Sequence, residues 1–306
     1  MKKTSIIAIL FAVLLIGFTA YVLLDTFVIE RAYTSVEPEQ SEDTKQDDLR
    51  DIYADRGITE PFPIQTDSMY IDDNISVVVT EYRQYRTSIY VADIRLESVE
   101  YLKSAFAEDT FGRNITEKVA DIAKRKDAII AVNGDFYGAQ PRGYVLRNGE
   151  LYRDLSRRDT ETLIVFEDGS FDIIVERKVD IEDMIAEGAI HSFAFGPALV
   201  IDGEIKVTRD QEVGISMESN PRTAIGIIDN LHYLLIVSDG RTKESRGLSL
   251  YELAEFMRDH GCKIAYNLDG GGSATMYFNG EIVNFPTTNG IDYEERSVSD
   301  IVYIGY

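Results

Sequence analysis

Residues 267–276 combine a carboxylate, three consecutive glycines and two hydroxyls at the end of an apolar run. The residues that carry chemistry in this segment are Asp269, Gly270, Gly271, Gly272, Ser273 and Thr275. Glycines in series let backbone N–H groups approach a ligand closely and adopt positive φ without a Cβ penalty. A sharp turn between strands would also use glycine, but a single glycine suffices for that. The combination with an acid and two hydroxyls favours a site for an oxyanion such as phosphate.

Two further polar clusters also follow apolar runs that predict buried strands. Asn133 and Asp135 come after residues 128–132, and Asp239 follows residues 231–237. Functional side chains of layered α/β proteins commonly lie where strands end. One such acid on its own is typical of a turn in which Asp bonds its own backbone. Three acids at strand ends, beside glycines, predict convergence on one cleft.

Arginine matches phosphate oxygens well, because its planar guanidinium donates two parallel hydrogen bonds. Arg222 borders an apolar strand, which predicts a buried pairing with substrate or with Asp269. Arg241, Lys243 and Arg246 share a polar segment. We interpret Arg241 and Lys243 as surface charges of a solvated loop.

The composition is that of a globular protein, since 44% of the 306 residues are apolar and 27% are charged. The net charge of −22 argues against a nucleic-acid binder, which requires a basic face. The single cysteine, Cys262, excludes an intrachain disulfide. The three histidines lack metal-ligand spacing, so no zinc site is predicted.

The N-terminal segment predicts a membrane anchor. Lys2 and Lys3 precede an uncharged run from Ser5 to Leu24, and about twenty apolar residues can span a hydrocarbon core of roughly 30 Å. A cleaved signal peptide is the alternative, but its apolar region is usually shorter and ends in small residues. We therefore predict a single-pass cell-membrane anchor over residues 1–25, with the N-terminus cytoplasmic and the rest of the chain outside.

An acidic stalk and one folded domain complete the predicted organisation. Residues 26–66 are rich in charged residues and poor in large apolar ones, which is typical of a solvated linker. Residues 67–306 form the domain, with a hairpin turn signal at residues 279–280. Its apolar and β-branched runs predict strands at residues 75–80, 88–92, 128–132, 161–167, 170–176, 222–228, 231–237, 263–268 and 298–304.

Two capping boxes predict helices within this domain. Asn114 and Glu117 open a helix that runs to Lys126, and Ser249 and Glu252 open a second one. Strands outnumber helices in this pattern. The sequence therefore predicts an α+β fold with mixed β-sheets and a few helices, preceded by one N-terminal transmembrane helix.

Four segments together resemble the phosphodiester glycosidase family. They are residues 133–137, 221–226, 238–247 and 267–275, and they follow the family's order within roughly residues 75–306. The resemblance implies a hydrolase that cleaves the C1–O bond of a sugar whose leaving group is a phosphate monoester, as in N-acetylglucosamine-1-phosphodiesters. Animal members carry glycine at the place of Asp135, so Asp135 receives no catalytic role.

The resemblance also implies roles for residues. Phosphate is a good leaving group near neutral pH, so a strong general acid matters less than in ordinary glycosidases. The reaction needs a carboxylate, for water activation or oxocarbenium stabilisation, and donors that neutralise the departing phosphate. The predicted catalytic carboxylates are Asp269 and Asp239. The predicted substrate-binding residues are Asn133, Arg222, Gly270, Gly271, Gly272, Ser273, Thr275 and Arg246. No metal ligand or cofactor is assigned, although clustered acids would allow a divalent cation.

We expect an extracytoplasmic hydrolase of sugar-1-phosphodiesters in cell-envelope or surface glycopolymers. A second hypothesis is a non-catalytic envelope protein that binds anionic glycopolymers. A third is a metal-assisted phosphodiesterase that cuts the P–O bond in place of the C–O bond. The expected partners are a glycosyl-phosphodiester and the membrane, without nucleic acid. The oligomeric state and the stereochemical outcome of cleavage stay open.

Overall fold

The computed structural model describes residues 3–27, 31–35, 63–209 and 219–306. Residues 36–62, most of the predicted stalk, lie outside the described residues. Helix α1 (Lys3–Phe27) covers the predicted anchor, with side chains described for residues 11–22 and 24. Judged on the described residues alone, no helix combines the length and the apolar character needed to cross a membrane.

Strands dominate the remaining described chain. The first ten are β1 (Arg31–Ser35), β2 (Ile64–Gln65), β3 (Met69–Ile71), β4 (Ile75–Gln84), β5 (Thr87–Leu96), β6 (Leu102–Phe106), β7 (Thr110–Arg113), β8 (Ile130–Asn133), β9 (Val145–Arg147) and β10 (Glu150–Arg153). The others are β11 (Glu161–Phe166), β12 (Phe171–Val175), β13 (Ala189–Phe193), β14 (Ala198–Ile201), β15 (Glu204–Ile205), β16 (Arg222–Asp229), β17 (His232–Ser238), β18 (Ile264–Asn267), β19 (Met276–Phe278), β20 (Glu281–Ile282) and β21 (Asp300–Ile304). The further α-helices are α2 (Val119–Arg125), α3 (Ile181–Ala186) and α4 (Leu250–Asp259).

Two large antiparallel sheets face each other and enclose the central core. The nine-stranded sheet has the order β15-β14-β18-β16-β17-β5-β4-β3-β2, and the five-stranded sheet has the order β20-β19-β8-β21-β6. Because side chains alternate between the two faces of a strand, every second residue of each strand points into the core between the two sheets. Ile94 and Ile225 of the first sheet share it with Val132 and Val302 of the second.

Helices cover the outer faces of both sheets. Helix α4 packs its apolar side against the nine-stranded sheet, and α2 packs against the five-stranded sheet. Smaller antiparallel sheets pair β1 with β7, β9 with β10, and β11 with both β12 and β13. Strands β1 and β2, both inside the region predicted as stalk, pair with β7 and β3. The predicted α+β class with few helices is confirmed.

The prediction for the start of the first domain helix is wrong. Helix α2 begins after Lys118, whereas Asn114 has φ 60° and donates its N–H to the Gly138 carbonyl at 3.2 Å. Glu117 forms an antiparallel bridge with Val298. This bridge holds the backbone of Glu117 extended, so tertiary pairing overrides the local capping signal. The second predicted capping box, Ser249 with Glu252, is present at the start of α4.

A buried ion triad lies just beyond the end of β8. Arg147 donates from Nη2 to Asp135 Oδ1 and to Asp300 Oδ2, both at 2.9 Å, and each of these side chains is 1% exposed. Asp135 Oδ2 also accepts the Ala194 N–H at 2.7 Å. Burial, and then the charge of Asp135, raises the pKa of Asp300 well above its usual range. The Asp135 carboxylate thus balances part of the buried positive charge of Arg147.

Arg147→Met keeps an extended side chain of similar reach but removes its charge. We expect it to lower the free energy of unfolding by about 3–5 kcal/mol, because two buried carboxyls lose the cation that they share. Urea unfolding followed by circular dichroism measures this change. Arg177→Met is the matched control, since its pair with Asp159 is 58% and 72% exposed and exposed pairs contribute little. Equal destabilisation by the two substitutions would contradict the assigned role of the triad.

Candidate active site

Four strands bring the sequence motifs to one end of the facing sheets. β16 starts at Arg222, and its antiparallel neighbours β17 and β18 end at Ser238 and Asn267, so three strand termini meet. β8 of the other sheet ends at Asn133. The Thr223 hydroxyl donates to Asn133 Oδ1 at 2.7 Å and links the two sheets. Motifs that are far apart in sequence therefore share one end of the sandwich.

Asn133 connects this junction to the glycine segment. Its Nδ2 donates to the Asp269 carbonyl at 2.6 Å, and its Oδ1 accepts the Thr275 N–H at 3.3 Å. The Asp269 N–H donates in turn to the Gly134 carbonyl at 3.1 Å. Asn133 is 0% exposed and both ends of its amide are engaged. These bonds hold the glycine segment against the strand end, and contact between Asn133 and substrate stays a prediction.

Two backbone N–H groups of the glycine segment already have acceptors within the protein. The Gly270 N–H donates to Asp269 Oδ1 at 2.9 Å, and the Gly271 N–H donates to the Pro221 carbonyl at 2.8 Å. A Cβ on Gly270 would lie 2.8 Å from that same carbonyl oxygen, so glycine is needed for the close packing. Positive charge for a bound anion must therefore come mainly from side chains.

Two arginines supply positive charge beside the glycines. A Cβ on Gly271 would lie 3.0 Å from Arg241 Nη2, and one on Gly272 would lie 3.0 Å from Arg296 Nε and 2.5 Å from Thr288 Oγ1. Arg241 Nη1 donates to the Thr288 carbonyl at 2.8 Å. Burial, and then the charge of Arg296, lowers the pKa of Arg241. Two guanidinium groups held near each other are suited to bind an oxyanion such as phosphate.

Asp269 is a half-buried carboxyl between the strand end and the glycines. Burial raises its pKa to about 6, while the hydrogen bond from Ser273, the charge of Arg296 and the Gly270 N–H act in the opposite direction. A carboxyl with this pKa changes its protonation close to neutral pH. That property suits a group that takes or gives a proton during catalysis.

Asp239 is held on both of its oxygens. Oδ1 accepts the Phe285 N–H at 2.7 Å and lies 3.5 Å from Asn284 Nδ2, and Oδ2 accepts the Tyr90 hydroxyl at 3.4 Å. Asn284 also donates to the Ala274 carbonyl at 3.0 Å, just beyond the glycines. Burial raises the pKa of Asp239. The two predicted catalytic carboxylates are thus tied to the same segment.

Two arginines predicted to bind substrate are engaged within the fold. Arg222 is 4% exposed and donates from Nε to the Leu248 carbonyl at 2.9 Å. Alternation along β16 places it on the opposite face from Thr223, which reaches the other sheet. Arg246 forms an ion pair with Glu252 of the capping box at the start of α4. Arg222 lies near Gly270 through its backbone, whereas the guanidinium groups beside Gly271 and Gly272 are those of Arg241 and Arg296. Arg241 also donates from Nε and Nη2 to Asn220 Oδ1 at 3.3 and 3.2 Å.

The two hydroxyl residues predicted to bind substrate, Ser273 and Thr275, are buried next to the glycines. Ser273 is 1% exposed and hydrogen-bonds to the Asp269 carboxyl. Thr275 is 0% exposed, and its N–H donates to Asn133. Ser273 therefore holds the Asp269 carboxyl in place, whereas the Thr275 hydroxyl is buried and has no hydrogen-bond partner among the described residues.

Sequence reasoning misses Arg296 and Thr288. Arg241 is exposed, as the sequence predicts, but the sequence does not show that its side chain lies beside Gly271. Residues 284–297 contain neither an apolar period nor a motif, so no local signal points to them. The residues that follow Arg241 in sequence are polar or charged, as is typical of a surface arginine. Its place inside the motif at residues 238–247 is the signal that could have found it.

The comparison with protein families agrees with the motifs. Residues 126–305 match the phosphodiester glycosidase family. The "SPbeta prophage-derived uncharacterized protein YomE" of Bacillus subtilis is 30% identical over 257 residues, which cover 77% of this chain and 39% of that protein. The chain therefore belongs to the phosphodiester glycosidase family, a family of hydrolases, as the sequence motifs predicted.

Relatives of known activity match over a shorter stretch. The mouse N-acetylglucosamine-1-phosphodiester alpha-N-acetylglucosaminidase is 42% identical over 86 residues, which cover 27% of this chain and 16% of that protein. The chain thus spans well under half the length of either curated relative. The auto-inhibited catalytic domain of the zebrafish enzyme of the same name shares the fold, with a TM-score of 0.59 and 21% identity over 76% of this chain and 83% of that one.

We expect Arg296→Gln to raise the pKa of Asp269 further, because the nearby positive charge favours the ionised carboxylate. An NMR titration of the ¹³C-labelled aspartate carboxyl groups measures this pKa. Lys243→Gln is the control, because it makes the same charge change on an exposed side chain of the loop between β17 and α4. If Asp269 titrated identically in Arg296→Gln and in the unchanged protein, the proximity of these two side chains would be refuted.

Proposed function

We propose that this chain hydrolyses the C1–O bond of sugar-1-phosphodiesters of the N-acetylglucosamine-1-phosphate type. The observation that carries the proposal is a half-buried carboxyl, Asp269, with a pKa near 6 beside Arg241 and Arg296. A proton acceptor next to a pair of cations is the arrangement required where a phosphate leaves and water attacks. The mouse relative is named for an N-acetylglucosamine-1-phosphodiester, which supports the choice of substrate.

In the proposed reaction the phosphate binds between Arg241 and Arg296, over Gly271 and Gly272. The C1–O bond breaks, and its electron pair stays on the phosphate oxygen, where the guanidinium groups stabilise the charge. Water adds to C1 and passes its proton to the Asp269 carboxylate. The products are the free sugar and a phosphate monoester. Because phosphate is a good leaving group, the proposal needs no separate general acid.

Asp239 has a positioning role in this proposal. Both of its oxygens already accept hydrogen bonds, and through Phe285 and Asn284 it fixes the loop that follows β20. An asparagine at this position would still accept the Phe285 N–H and could donate to Tyr90. The exchange Asp239→Asn therefore removes the charge while it retains the hydrogen-bonding geometry.

We expect Asp269→Asn to lower kcat by about 10²–10⁴-fold, the usual contribution of a general base. The folded pKa of Asp269 lies above its ordinary value of 3.8, so the fold favours the protonated form. Its contribution to stability is complete below pH 3.8 and is lost as pH rises through about 6. The neutral asparagine should therefore be at least as stable as wild type at pH 8, which thermal unfolding measures.

Asp239→Asn is the matched comparison in the same assay, which follows N-acetylglucosamine release from its methyl phosphodiester. We expect it to retain activity within about tenfold of wild type, since only a charge on a supporting residue is lost. Full activity in Asp269→Asn would show that Asp269 is not the general base. A larger loss in Asp239→Asn than in Asp269→Asn would reverse the assignment of roles.

Hydrolysis in ¹⁸O-labelled water separates the proposed reaction from its alternatives. Attack at C1 puts the label in the sugar, whereas P–O cleavage puts it in the phosphate. Among the described residues, no group of three or more His, Cys, Asp or Glu side chains is arranged to hold a metal ion, which gives the P–O alternative no structural support. Saturable binding without product over long incubation would instead favour a non-catalytic binding protein.

We further propose that the domain acts outside the cytoplasm on cell-envelope or surface glycoconjugates, and that the segment predicted from the sequence as an anchor, residues 1–25, attaches it there. The apolar side chains of Phe11, Leu14 and Phe18 on α1 are 66–67% exposed, and a lipid phase would cover them. Fractionation of cells that express the full chain, or the chain without residues 1–27, tests this location. Release of both forms into the soluble fraction would contradict it.

A further inference from the structure

The buried ion triad contains one cation and two carboxyls. The side chains of Arg147, Asp135 and Asp300 are each 1% exposed. With both carboxyls ionised, the triad would carry a net negative charge inside the core, where an unbalanced charge is costly. One proton on a carboxyl makes the triad neutral. The hydrogen bonds of the three side chains indicate which oxygen carries that proton.

Arg147 has no donor left for a further carboxyl oxygen. Its Nε and Nη2 donate to Asp300 Oδ2 at 3.3 and 2.9 Å, and Nη2 also donates to Asp135 Oδ1 at 2.9 Å. Its Nη1 donates to the carbonyls of Leu146, at 3.1 Å, and of Ser192. These bonds use all five N–H groups of the guanidinium. Asp300 Oδ1 therefore receives no hydrogen bond from the cation.

The two carboxyls of the triad differ in their hydrogen bonds. Asp135 accepts N–H groups on both oxygens, because Oδ1 also accepts the Tyr137 N–H at 3.2 Å and Oδ2 accepts the Ala194 N–H at 2.7 Å. Such bonds favour the ionised form of Asp135. Asp300 Oδ1 is buried and lacks a hydrogen-bond partner. The proton that neutralises the triad therefore belongs on Asp300 Oδ1.

The surroundings of the triad place the release of this proton in the neutral pH range. Burial, and then the charge of Asp135, raises the pKa of Asp300 to about 7, while Arg147 and the Asp135 backbone N–H act in the opposite direction. The other ionisable groups that interact with the triad are Tyr137, Arg153, His191, Tyr266 and Asp269. Burial raises the pKa of both tyrosines and lowers the pKa of His191 to about 3, so these three groups stay neutral near pH 7. Among these five groups, Asp269 titrates closest to Asp300, since its pKa is about 6.

One residue, Gly134, connects the Asp300 carboxyl to the backbone of Asp269. A Cβ on Gly134 would lie 2.3 Å from Asp300 Oδ1 and 2.6 Å from Oδ2, so the carboxyl packs directly against the glycine. The Gly134 N–H donates to the Asp300 carbonyl at 2.9 Å. The Gly134 carbonyl in turn accepts the Asp269 N–H at 3.1 Å. A movement of the Asp300 carboxyl is therefore transmitted to the residue that places Asp269.

We propose that Asp300 is a positioning residue for the reaction, because its protonated carboxyl holds Gly134, and through Gly134 the backbone of Asp269, in the productive place. Loss of the Oδ1 proton to solvent leaves an anionic oxygen without a donor against the Gly134 backbone. The carboxylate then moves toward other donors, and the Gly134 carbonyl no longer holds the Asp269 N–H. This inference rests on the proposed function. It confines activity to the pH range in which Asp269 is ionised and Asp300 is protonated.

The pH dependence of kcat/KM tests the role of Asp300 with the methyl phosphodiester of N-acetylglucosamine as substrate. We expect a bell-shaped profile for wild type, which rises as Asp269 ionises and falls as Asp300 loses its proton. Asp300→Asn keeps an oxygen that accepts from Arg147 and replaces Oδ1 with an amide group that does not ionise. Between pH 6.5 and 8.5, kcat/KM should fall by about 10- to 30-fold in wild type, the loss expected for one proton, and by less than about twofold in Asp300→Asn.

Asp159→Asn is the matched control, because it makes the same chemical change on a side chain that is 72% exposed. It should keep the fall of kcat/KM above pH 7 that wild type shows. The same fall in Asp300→Asn would overturn the positioning role. A folded Asp300→Asn protein that is inactive at every pH would also overturn it, since the amide represents the neutral carboxyl.

An NMR titration of the wild-type protein tests the proposal without any substitution. The ¹³C-labelled Asp300 carboxyl should titrate near pH 7, and the ¹⁵N–H signal of Gly134 should shift along the same curve. Titration of Asp300 below pH 5, or a Gly134 signal that does not follow Asp300, would overturn the coupling.

The two proposals fail in different ways. If wild type released no N-acetylglucosamine at any pH, the proposed function would fail and the positioning role with it. If wild type were active but kcat/KM fell equally in wild type and Asp300→Asn above pH 7, only the positioning role would fail.

Discussion

The amide of Asn133 joins the two sheets at the place where the proposed chemistry occurs. It accepts from Thr223 of one sheet and, from the end of a strand in the other, donates to the backbone of Asp269. A buried amide is costly to leave unsatisfied, so these bonds hold only one relative placement of the sheets. The glycine segment, the base and the adjoining arginines all depend on that placement. Asn133 thus influences the site through the backbone that it holds in place.

Opposing electrostatic effects set the properties of the site. The chain as a whole is strongly acidic, yet Arg241 and Arg296 lie together beside the glycines. Burial raises the pKa of Asp269, and the charge of Arg296 lowers it back toward its ordinary value. In the proposed reaction the same cations bind the phosphate, and Arg296 also lowers the pKa of the neighbouring carboxyl. The proposed site would attract a single phosphate group at short range, whereas the net negative charge of the chain would disfavour longer anionic chains.

The sequence was most informative where an apolar run ends in polar residues. That pattern located the ends of β8, β17 and β18 to within about one residue, because burial of a strand and exposure of its terminus are both local signals. Period-two alternation also shows that Arg222 and Thr223 face opposite ways, but not which of them faces the second sheet. Arg296 could not be predicted, since its position depends on the path of an irregular loop. The prediction that a helix starts at Asn114 is wrong because an isolated β-bridge to Val298, far away in sequence, holds Glu117 in an extended conformation.

The place of β21 has a consequence for the order of assembly. This strand lies between β8 and β6, and Ile301 pairs opposite Asn133, which comes far earlier in the chain. Closing so long a loop is entropically costly and slow. Until residues 300–304 have been synthesised, β8 keeps an open edge and Arg147 lacks Asp300. A chain without residues 300–304 therefore lacks the strand that closes β8, and correct placement of Asn133 at the end of β8 depends on insertion of this one central strand.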